Sequence, residues 1–326
     1  MSDSVPDLLN QLVATPEMQR LSDIGMHCGC EYANLPLYKR ARVHYTRLMH
    51  SLSVALIIWD FTDDIEQAVA GLLHDIATPV FAHTIDFMNK DHLKQESTED
   101  KTQTFIENSN EIMTLLRWSG IHAEDVSDYH QYPIADNDTP MLSADRMEYT
   151  LGNGYILHHM ELSQIQEFYD DLCVAKNERG VLELCFRSIG YAKQFVEISL
   201  RNSRCYVSDE DRFLMQYLSD MIRHAIKLGV LSSEDLYTTE SKVIGKLNAH
   251  DELSEAWDKY TKISKVSVSG EKLNDRYCVN VPAKKRYIDP LVLTDGGAKR
   301  ISKLDADVNV AIESFLRLDF DKWLSI

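Results

Sequence analysis

The chain has 326 residues, 44% of them hydrophobic and 26% charged, a composition that excludes a disordered or low-complexity protein. The formal net charge of −17 argues against non-specific binding of nucleic acid, which needs clustered Lys and Arg. The uncharged apolar run at residues 52–59 is far shorter than the ~20 residues that cross a bilayer. Residues 1–7 are acidic where a signal peptide is basic. We therefore expect a cytoplasmic protein without membrane or nucleic-acid partners.

The first two-thirds of the chain are dominated by helical patterns. Thr15-Pro16-Glu17 predicts a helix start, with a capping hydroxyl, a proline in the first turn and an acid near the positive end of the helix dipole. Gly152-Asn153-Gly154 is interpreted as a turn. The other predicted helices cover residues 47–59, 64–77, 102–118, 145–149, 162–174, 180–202 and 210–228.

After about residue 231 the pattern changes to short alternating segments. Strands are predicted over residues 265–270, 276–281 and 286–293, followed by a terminal helix over 308–318. The sequence thus predicts a mainly α fold, with a helical body over residues 1–230 and a small α+β region over residues 231–326.

The six cysteines contain no CxxC pair and are too sparse for a disulfide framework. Cys28-Gly29-Cys30 is compatible with a redox or metal-binding pair. Free cysteines are more often small buried apolar residues, and we favour that interpretation.

The predicted helix over residues 64–77 is the most informative segment. It is apolar almost all round in its second half, which is typical of a buried helix. His74 and Asp75 lie side by side in that half. A buried carboxylate is very costly unless something neutralises it. A divalent metal bound by both residues is one solution, and an arginine partner for Asp75 is the other.

The order of motifs along the chain resembles the HD superfamily of metal-dependent phosphohydrolases. A histidine comes first, then the adjacent His-Asp pair, and then a distant aspartate. The local detail is similar to the deoxynucleoside triphosphate triphosphohydrolase branch of that superfamily. The likeness covers roughly residues 15–155, with weaker echoes at residues 285–290. The residues that carry it are Gln19-Arg20-Leu21, Arg47, His50, His74-Asp75, His83, Asp86, Asp145-Arg146 and Tyr149.

The resemblance implies a helical HD bundle with one divalent metal ion. The implied ligands are His50, His74, Asp75 and Asp145. Four protein ligands leave positions open for water and a phosphate oxygen, as a catalytic site requires. Nitrogen and oxygen ligands suit Mn, Fe, Mg, Ni or Zn alike. Taken singly, His50 is also compatible with a core histidine and Asp145 with a helix cap.

The same resemblance implies roles for four further residues. Arg47 shares a helix face with His50 and would hold phosphate, although a surface ion pair is the common use of arginine. His83 would act as general acid or base, with Asp86 orienting it and raising its pKa. The alternative for His83 is a cap on the turn after Pro79. Tyr149 would contact base or phosphate, or pack in the core.

The chain departs from the branch at several positions. Thr78 and Gln95 stand where the branch has histidines, with His92 near the second of them. We therefore expect a phosphohydrolase acting on a nucleotide or a related phosphate ester, and the alternative is a catalytically inactive nucleotide-binding module. The family also implies a possible homo-oligomer. His122 and His130 are weaker candidates for a second metal site.

Overall fold

The computed structural model describes residues 5–88 and 101–326. Helices account for most of this part of the chain, as the predicted mainly α fold class requires. The helices are α1 Asp7–Val13, α2 Pro16–Arg20, α3 Pro36–Lys39, α4 Arg47–Thr62, α5 Ile65–Leu73, α6 Thr84–Met88, α7 Thr102–Asn108, α8 Asn110–Ser119, α9 Ala123–Val126, α10 Ala144–Ile156, α11 Leu162–Asp170, α12 Ile189–Tyr206, α13 Asp209–Lys227, α14 Glu240–Asn248, α15 Asp251–Lys262, α16 Ile301–Leu304 and α17 Ala306–Leu316.

Two small sheets accompany the helices. One has the strand order β1-β2-β5-β6, in which β2 and β5 are parallel and the other pairs antiparallel. The other is antiparallel, in the order β3-β7-β4. The strands are β1 Leu172–Lys176, β2 Leu182–Phe186, β3 Ser267–Ser269, β4 Cys278–Val279, β5 Leu291–Thr294, β6 Gly297–Arg300 and β7 Trp323–Ser325.

The hairpin of β1 and β2 corrects the helices predicted over residues 162–174 and 180–202. Gly180 adopts a φ of 76° between the two strands, a turn conformation that glycine tolerates best. The hairpin then pairs with β5 from the C-terminal third of the chain. One sheet therefore takes strands from both sides of residue 230, and the predicted division at that residue stays a prediction.

Two predictions of helix boundaries need correction, the turn at residues 152–154 and the single helix over residues 102–118. Gly152 and Gly154 lie inside α10 rather than in a turn. A Cβ at Gly152 would lie 2.5 Å from the hydroxyl of Tyr45, so glycine is needed there for close packing. The helix predicted over residues 102–118 is two helices, because Ser109 caps α8 by accepting a hydrogen bond from the amide of Ile112.

The helix start predicted at Thr15 is correct in position but not in its cap. Its hydroxyl donates back to the Leu12 carbonyl instead of accepting from α2. Later boundaries agree more closely with expectation. The helix predicted over residues 210–228 is α13, and the one predicted over 308–318 is α17. Within the part of the chain described, no helix has both the length and the apolar character needed to cross a membrane.

The core has two buried clusters, and α4 contributes to the first of them. Val54, Ala55 and Ile58 on α4 are fully buried. A Cβ at Gly71 on α5 would lie 2.2 Å from Ile58 Cδ1, so the glycine allows α4 and α5 to pack closely. Helix α4 also packs against α10. Helix α4, which carries His50, is thus a neighbour both of α10, which carries Asp145, and of α5, which ends just before His74 and Asp75.

A buried acid at the start of α14 leads to a prediction about stability. Glu240 accepts hydrogen bonds from the amides of Gly25 and Phe81 and from the hydroxyl of Tyr32. Burial, and then the nearby Glu31, raise the pKa of Glu240 to about 8. The folded protein therefore keeps this proton to a higher pH than the unfolded chain, so stability falls as pH rises from about 4.3 to about 8.

We expect Glu240→Gln to reduce this loss of stability, because the amide resembles the protonated acid in shape and carries no charge. Each unit of pKa shift corresponds to about 1.4 kcal/mol. Unfolding measured between pH 5 and pH 8.5 tests the expectation, with the exposed Glu255→Gln as control. An unchanged pH dependence in Glu240→Gln would contradict it.

Candidate active site

The residues His74 and Asp75 lie in a turn directly after α5 rather than inside a helix as predicted. The helix ends at Leu73. The guanidinium of Arg20 donates to the carbonyls of Ile76 and Thr78, each at 2.8 Å. These carbonyls are satisfied by a side chain instead of by helical amides. Arg20 thus stabilises the turn that presents His74 and Asp75.

The structure brings the four predicted metal ligands together. His50 Nε2 lies 3.0 Å from Asp145 Oδ1 and 3.9 Å from Asp75 Oδ2. His74 Nε2 lies 3.5 Å from Asp75 Oδ2 and 4.0 Å from Asp145 Oδ1. Ligand atoms bound at right angles to one ion at ~2.1 Å are about 3 Å apart. The closest group, formed by His50, His74 and Asp145, has its ligand atoms within 4.8 Å of one another.

Both histidines present Nε2 to the centre of this group because their other ring nitrogens are engaged. His74 Nδ1 lies 2.7 Å from the carbonyl of Gly71, which requires a proton on Nδ1 and leaves Nε2 as an acceptor. His50 Nδ1 lies 2.5 Å from Glu148 Oε2. Hydrogen bonds of this kind fix the tautomer of metal-binding histidines.

Glu148 is a candidate functional residue for which the sequence predicted no role. It lies three residues after Asp145 on α10 and is buried. Besides His50, its Oε2 accepts a hydrogen bond from the hydroxyl of Tyr45 at 2.5 Å. A carboxylate one helical turn from a predicted ligand was the signal available in the sequence. The ring of Tyr129 stacks on His74, with centroids 4.7 Å apart, and no sequence pattern pointed to that contact.

The charges at the site fit a divalent cation. The carboxylates of Asp75, Asp145 and Glu148 share the site with the guanidinium of Arg47. Burial alone would lower the pKa of His50, but Glu148 and Asp145 raise it to about 10. The raised pKa means that the carboxylates stabilise a further positive charge in addition to that of Arg47. A divalent ion would supply that charge with both imidazoles neutral, so the donor set and the charge both suit such an ion.

Asp75 has the arginine partner that was one of the two interpretations left open by the sequence, and its role as a metal ligand stays a prediction. Arg47 Nη1 donates to Asp75 Oδ2 at 2.8 Å, and the same oxygen faces the two histidines. Thr78 donates to Asp75 Oδ1 at 2.7 Å. Burial would raise the pKa of Asp75, but the charge of Arg47 more than offsets this and holds it below its usual value. Asp75 is therefore ionised, with its orientation fixed from two sides.

His83 is held by Asp86 at the start of α6. His83 Nδ1 lies 2.9 Å from Asp86 Oδ2, as the sequence led us to expect. The preceding turn places Phe81 and Ala82 at φ values of 58° and 41°, which are unfavourable for residues other than glycine. Burial lowers the pKa of His83, and Asp86 raises it as expected but by less than burial lowers it, so the net shift is downward.

A cavity of about 820 Å³ connects these groups. Arg47, His83 and Tyr149 line it together with the four predicted ligands. Burial raises the pKa of Tyr149 to about 12, so its hydroxyl stays protonated and can donate. Cys28 also lines the cavity, and burial raises its pKa to about 12. A thiol in that form is a poor metal ligand.

His122 and His130, the weaker candidates for a second metal site, lie in different environments. His130 lines the cavity, with Nδ1 2.9 Å from Asp128 and Nε2 3.4 Å from Asp136. His122 precedes α9 and is exposed. Among residues 5–88 and 101–326, the group of His50, His74 and Asp145 is the one cluster with metal-binding spacing. Gln95 and His92 lie outside the described residues.

Comparison with known proteins gives distant relatives and a shared fold. No family model matches the chain. It is 28% identical over 295 residues to the uncharacterized protein YdhJ of Bacillus subtilis, covering 89% of this chain and 86% of that one. It is 24% identical over 165 residues to cns2, a metal-dependent phosphohydrolase of Cordyceps militaris, and this match covers 51% of this chain and 46% of cns2.

Two solved structures resemble the whole chain. One is a hypothetical protein from Aquifex aeolicus, with a TM-score of 0.66 and 18% identity over 98% of this chain and 92% of that chain. The other is a phosphohydrolase from Bacteroides thetaiotaomicron, with a TM-score of 0.65 and 18% identity over 99% of this chain and 96% of that chain. The chain thus has a helical fold that a phosphohydrolase also has.

The contact between Glu148 and His50 leads to a prediction about metal affinity. Glu148→Gln keeps the shape of the side chain but removes the charge that raises the basicity of His50. We expect Mn²⁺ affinity to fall by about 10- to 100-fold, and Tyr45→Phe to have a smaller effect. Competition with a metal-binding dye measures both. Glu161→Gln, an exposed acid, is the control, and unchanged affinity in Glu148→Gln would argue against this role.

Proposed function

We propose that this protein is an HD-type metal-dependent phosphohydrolase that acts on a nucleotide or a related phosphate ester. The observation that carries the proposal is the group of His50, His74 and Asp145, whose ligand atoms lie within 4.8 Å of one another in the wall of a cavity, with Asp75 Oδ2 3.5 Å from His74 Nε2. Both imidazoles present Nε2 there. The names of cns2 and of the Bacteroides structure support the same reaction class.

In this proposal the four residues hold one divalent metal ion. When bound, such an ion acts as a Lewis acid toward a phosphoryl oxygen and lowers the pKa of water. Arg47 is already oriented by Asp75, and within residues 5–88 and 101–326 its Nε is buried without a hydrogen-bond partner. In the proposal, the N–H groups that Asp75 does not use contact a phosphate oxygen. A planar guanidinium suits phosphate geometry.

His83 moves the proton. The hydrogen bond to Asp86 places a proton on Nδ1, so Nε2 can accept one. The lowered pKa of His83 keeps the imidazole neutral near pH 7, the form that a general base requires. Having taken a proton from the attacking water, His83 can return it to the leaving oxygen. Tyr149 donates a hydrogen bond from its hydroxyl to the substrate, from the adjacent turn of α10, and keeps its proton.

Product analysis tests this proposal. The purified protein is incubated with and without Mn²⁺ with nucleoside mono- and triphosphates, in ribo and deoxy forms, and the products are separated by chromatography. Nucleoside with intact inorganic triphosphate would identify a triphosphohydrolase of the kind the sequence resembles. Nucleoside released from monophosphates alone would identify a nucleotidase with the same site.

One observation favours a second candidate, a nucleotide-binding module that does not hydrolyse its ligand. The hydroxyl of Thr78, at a position where the family has a histidine, donates to Asp75 and supplies no acid–base group. Melting shifts with nucleotides, without any product, would favour this module and contradict the hydrolase.

A further inference from the structure

The hairpin of β1 and β2 places two cysteines directly opposite each other. Cys173 on β1 is the register partner of Cys185 on β2, and both are free thiols. Directly opposite residues of an antiparallel pair carry their side chains on the same face of the sheet. The register therefore brings the two thiols together, although the residues are 12 positions apart in the chain.

The backbone ladder of the hairpin sets the distance between the two cysteines. The amide of Arg187 donates to the carbonyl of Asp171 at 2.9 Å, two residues outside the cysteine pair on each strand. Hydrogen-bonded pairs alternate along an antiparallel ladder, so Cys173 and Cys185 also form such a pair, with Cα atoms about 5.5 Å apart. Disulfides most often have Cα atoms about 5.5–6 Å apart. The strand pairing thus already has the spacing that a disulfide needs.

The side chains of the pair are in contact, and one of them is accessible. Cys173 Sγ donates to the carbonyl of Cys185 at 3.5 Å. Burial, and then Cys173 through its charge and a hydrogen bond between the two thiols, raise the pKa of Cys185 to about 12. Cys173 is partly exposed, whereas Cys185 is fully buried. A reagent in solution can therefore reach Cys173, and Cys185 lies within reach of Cys173.

The same hairpin forms part of the wall of the active-site cavity. Asn177 and Arg179, in the turn between the two strands, line the cavity. On β2, Glu183 accepts a hydrogen bond at 3.0 Å from the amide of Leu142, which lies just before α10. A covalent bond between β1 and β2 would thus fix a strand pair that supports both the cavity wall and the segment leading to Asp145.

We propose that Cys173 and Cys185 are a thiol-modification site, which a small uncharged disulfide converts into a cross-strand disulfide bond. The thiolate of Cys173 attacks one sulfur of the reagent, forms a mixed disulfide and releases one small thiolate. The thiolate of Cys185 then attacks Cys173 Sγ and releases the second. The protein loses two protons and two electrons, and the reagent gains both as two thiols. The net charge of −17 favours an uncharged reagent over an anionic one.

The test treats the native full chain with bis(2-hydroxyethyl) disulfide and maps the cysteines by mass spectrometry after digestion without reduction. Trypsin cleaves after Lys176 and Arg179 and separates the two cysteines, which then lie in peptides 147–176 and 180–187. We expect these two peptides to be linked in most of the wild-type protein. Dithiothreitol should separate them again.

Three variants distinguish the two steps from unspecific oxidation. Cys185→Ala lacks the thiol of the second step, so it should retain the small thiol on Cys173. Cys173→Ser lacks the accessible thiol, so Cys185 should stay unmodified over the same time. The control is Cys205→Ser, which removes another partly exposed cysteine, on α12, and should leave the linked peptides unchanged.

Two results would overturn the proposal. One is wild-type protein that carries the small thiol on Cys173 without any link to Cys185, or that links other cysteines first. The other is native protein in which Cys173 stays unmodified while the same reagent modifies the protein unfolded in urea. The mapping uses neither turnover nor bound metal, so its result does not depend on the proposed function.

Discussion

Replacing His74 by alanine is expected to abolish metal binding and turnover together. His74 Nε2 faces Asp75 and Asp145 at 3.5 and 4.0 Å, and alanine has no nitrogen to offer in its place. Metal assistance contributes several kcal/mol to phosphoryl chemistry, so kcat should fall at least on the order of a thousandfold. Metal content by elemental analysis and turnover of the preferred nucleotide, measured on the same preparation, test both expectations.

The control for this experiment is His122→Ala. His122 is an exposed histidine before α9, and its replacement should leave metal content and turnover unchanged. Because the ion pair of Arg47 with Asp75 does not involve His74, we expect the His74 variant to remain folded, which circular dichroism would check. Full metal occupancy in a folded His74→Ala protein would rule out His74 as a ligand.

The candidate ligands were predicted from the order of motifs along the chain, which resembles the HD superfamily, and part of that order is local. His74 and Asp75 are adjacent and follow a run of apolar residues, and His50 follows Arg47 by less than one helical turn. These patterns survive in the structure even though the helix ends earlier than predicted. The turn that follows the helix is stabilised by Arg20, which binds the carbonyls of Ile76 and Thr78 from more than 50 residues away. A contact at that sequence separation leaves no periodic signal.

The elements that were missed depend on partners distant in sequence. The segment of β1 and β2 has an apolar pattern that suits helix or strand, and as strands the two pair with each other while β2 also pairs with β5, over 100 residues later. Gly152 suggests a turn when read alone. The ring of Tyr45 packs so closely on α10 that glycine is required there within the helix. Tertiary packing therefore overrides local preference in both cases.

In the site as well, contacts between residues close in sequence could be predicted, whereas effects of residues distant in sequence could not. The pairing of His83 with Asp86 follows from their spacing, since three residues bring side chains together at a helix start. The direction of the pKa shift does not, because it depends on how many neighbours desolvate the imidazole. Glu148 and Thr78 likewise act on ligands that the sequence identified. Their roles become visible only when the turn after α5 and the start of α10 are placed beside α4.

The second large effect is expected for His83→Gln, which should lower kcat by roughly 10²- to 10⁴-fold while metal content stays unchanged. The reason is that His83 is proposed to accept the proton of the attacking water, and an amide cannot do so. The metal content distinguishes the two variants, because His83→Gln is expected to keep its metal and His74→Ala to lose it. The control is His224→Gln. His224 also pairs with an acid, Glu252, at 2.8 Å on the surface, and its loss should not affect turnover.

The variant Asp86→Asn tests whether Asp86 sets the pKa of His83. The measurement is the pH dependence of kcat/KM, which would not shift if Asp86 only stabilised the fold. Asp86 raises the pKa of His83 against the larger effect of burial, so removing its charge should lower that pKa further. A general base is active when deprotonated, and the rise of kcat/KM with pH should therefore move to lower pH in this variant. The plateau rate should also fall, because a weaker base removes a proton more slowly. A pH profile that keeps its position in Asp86→Asn would show that His83 is not the group whose ionisation limits the reaction.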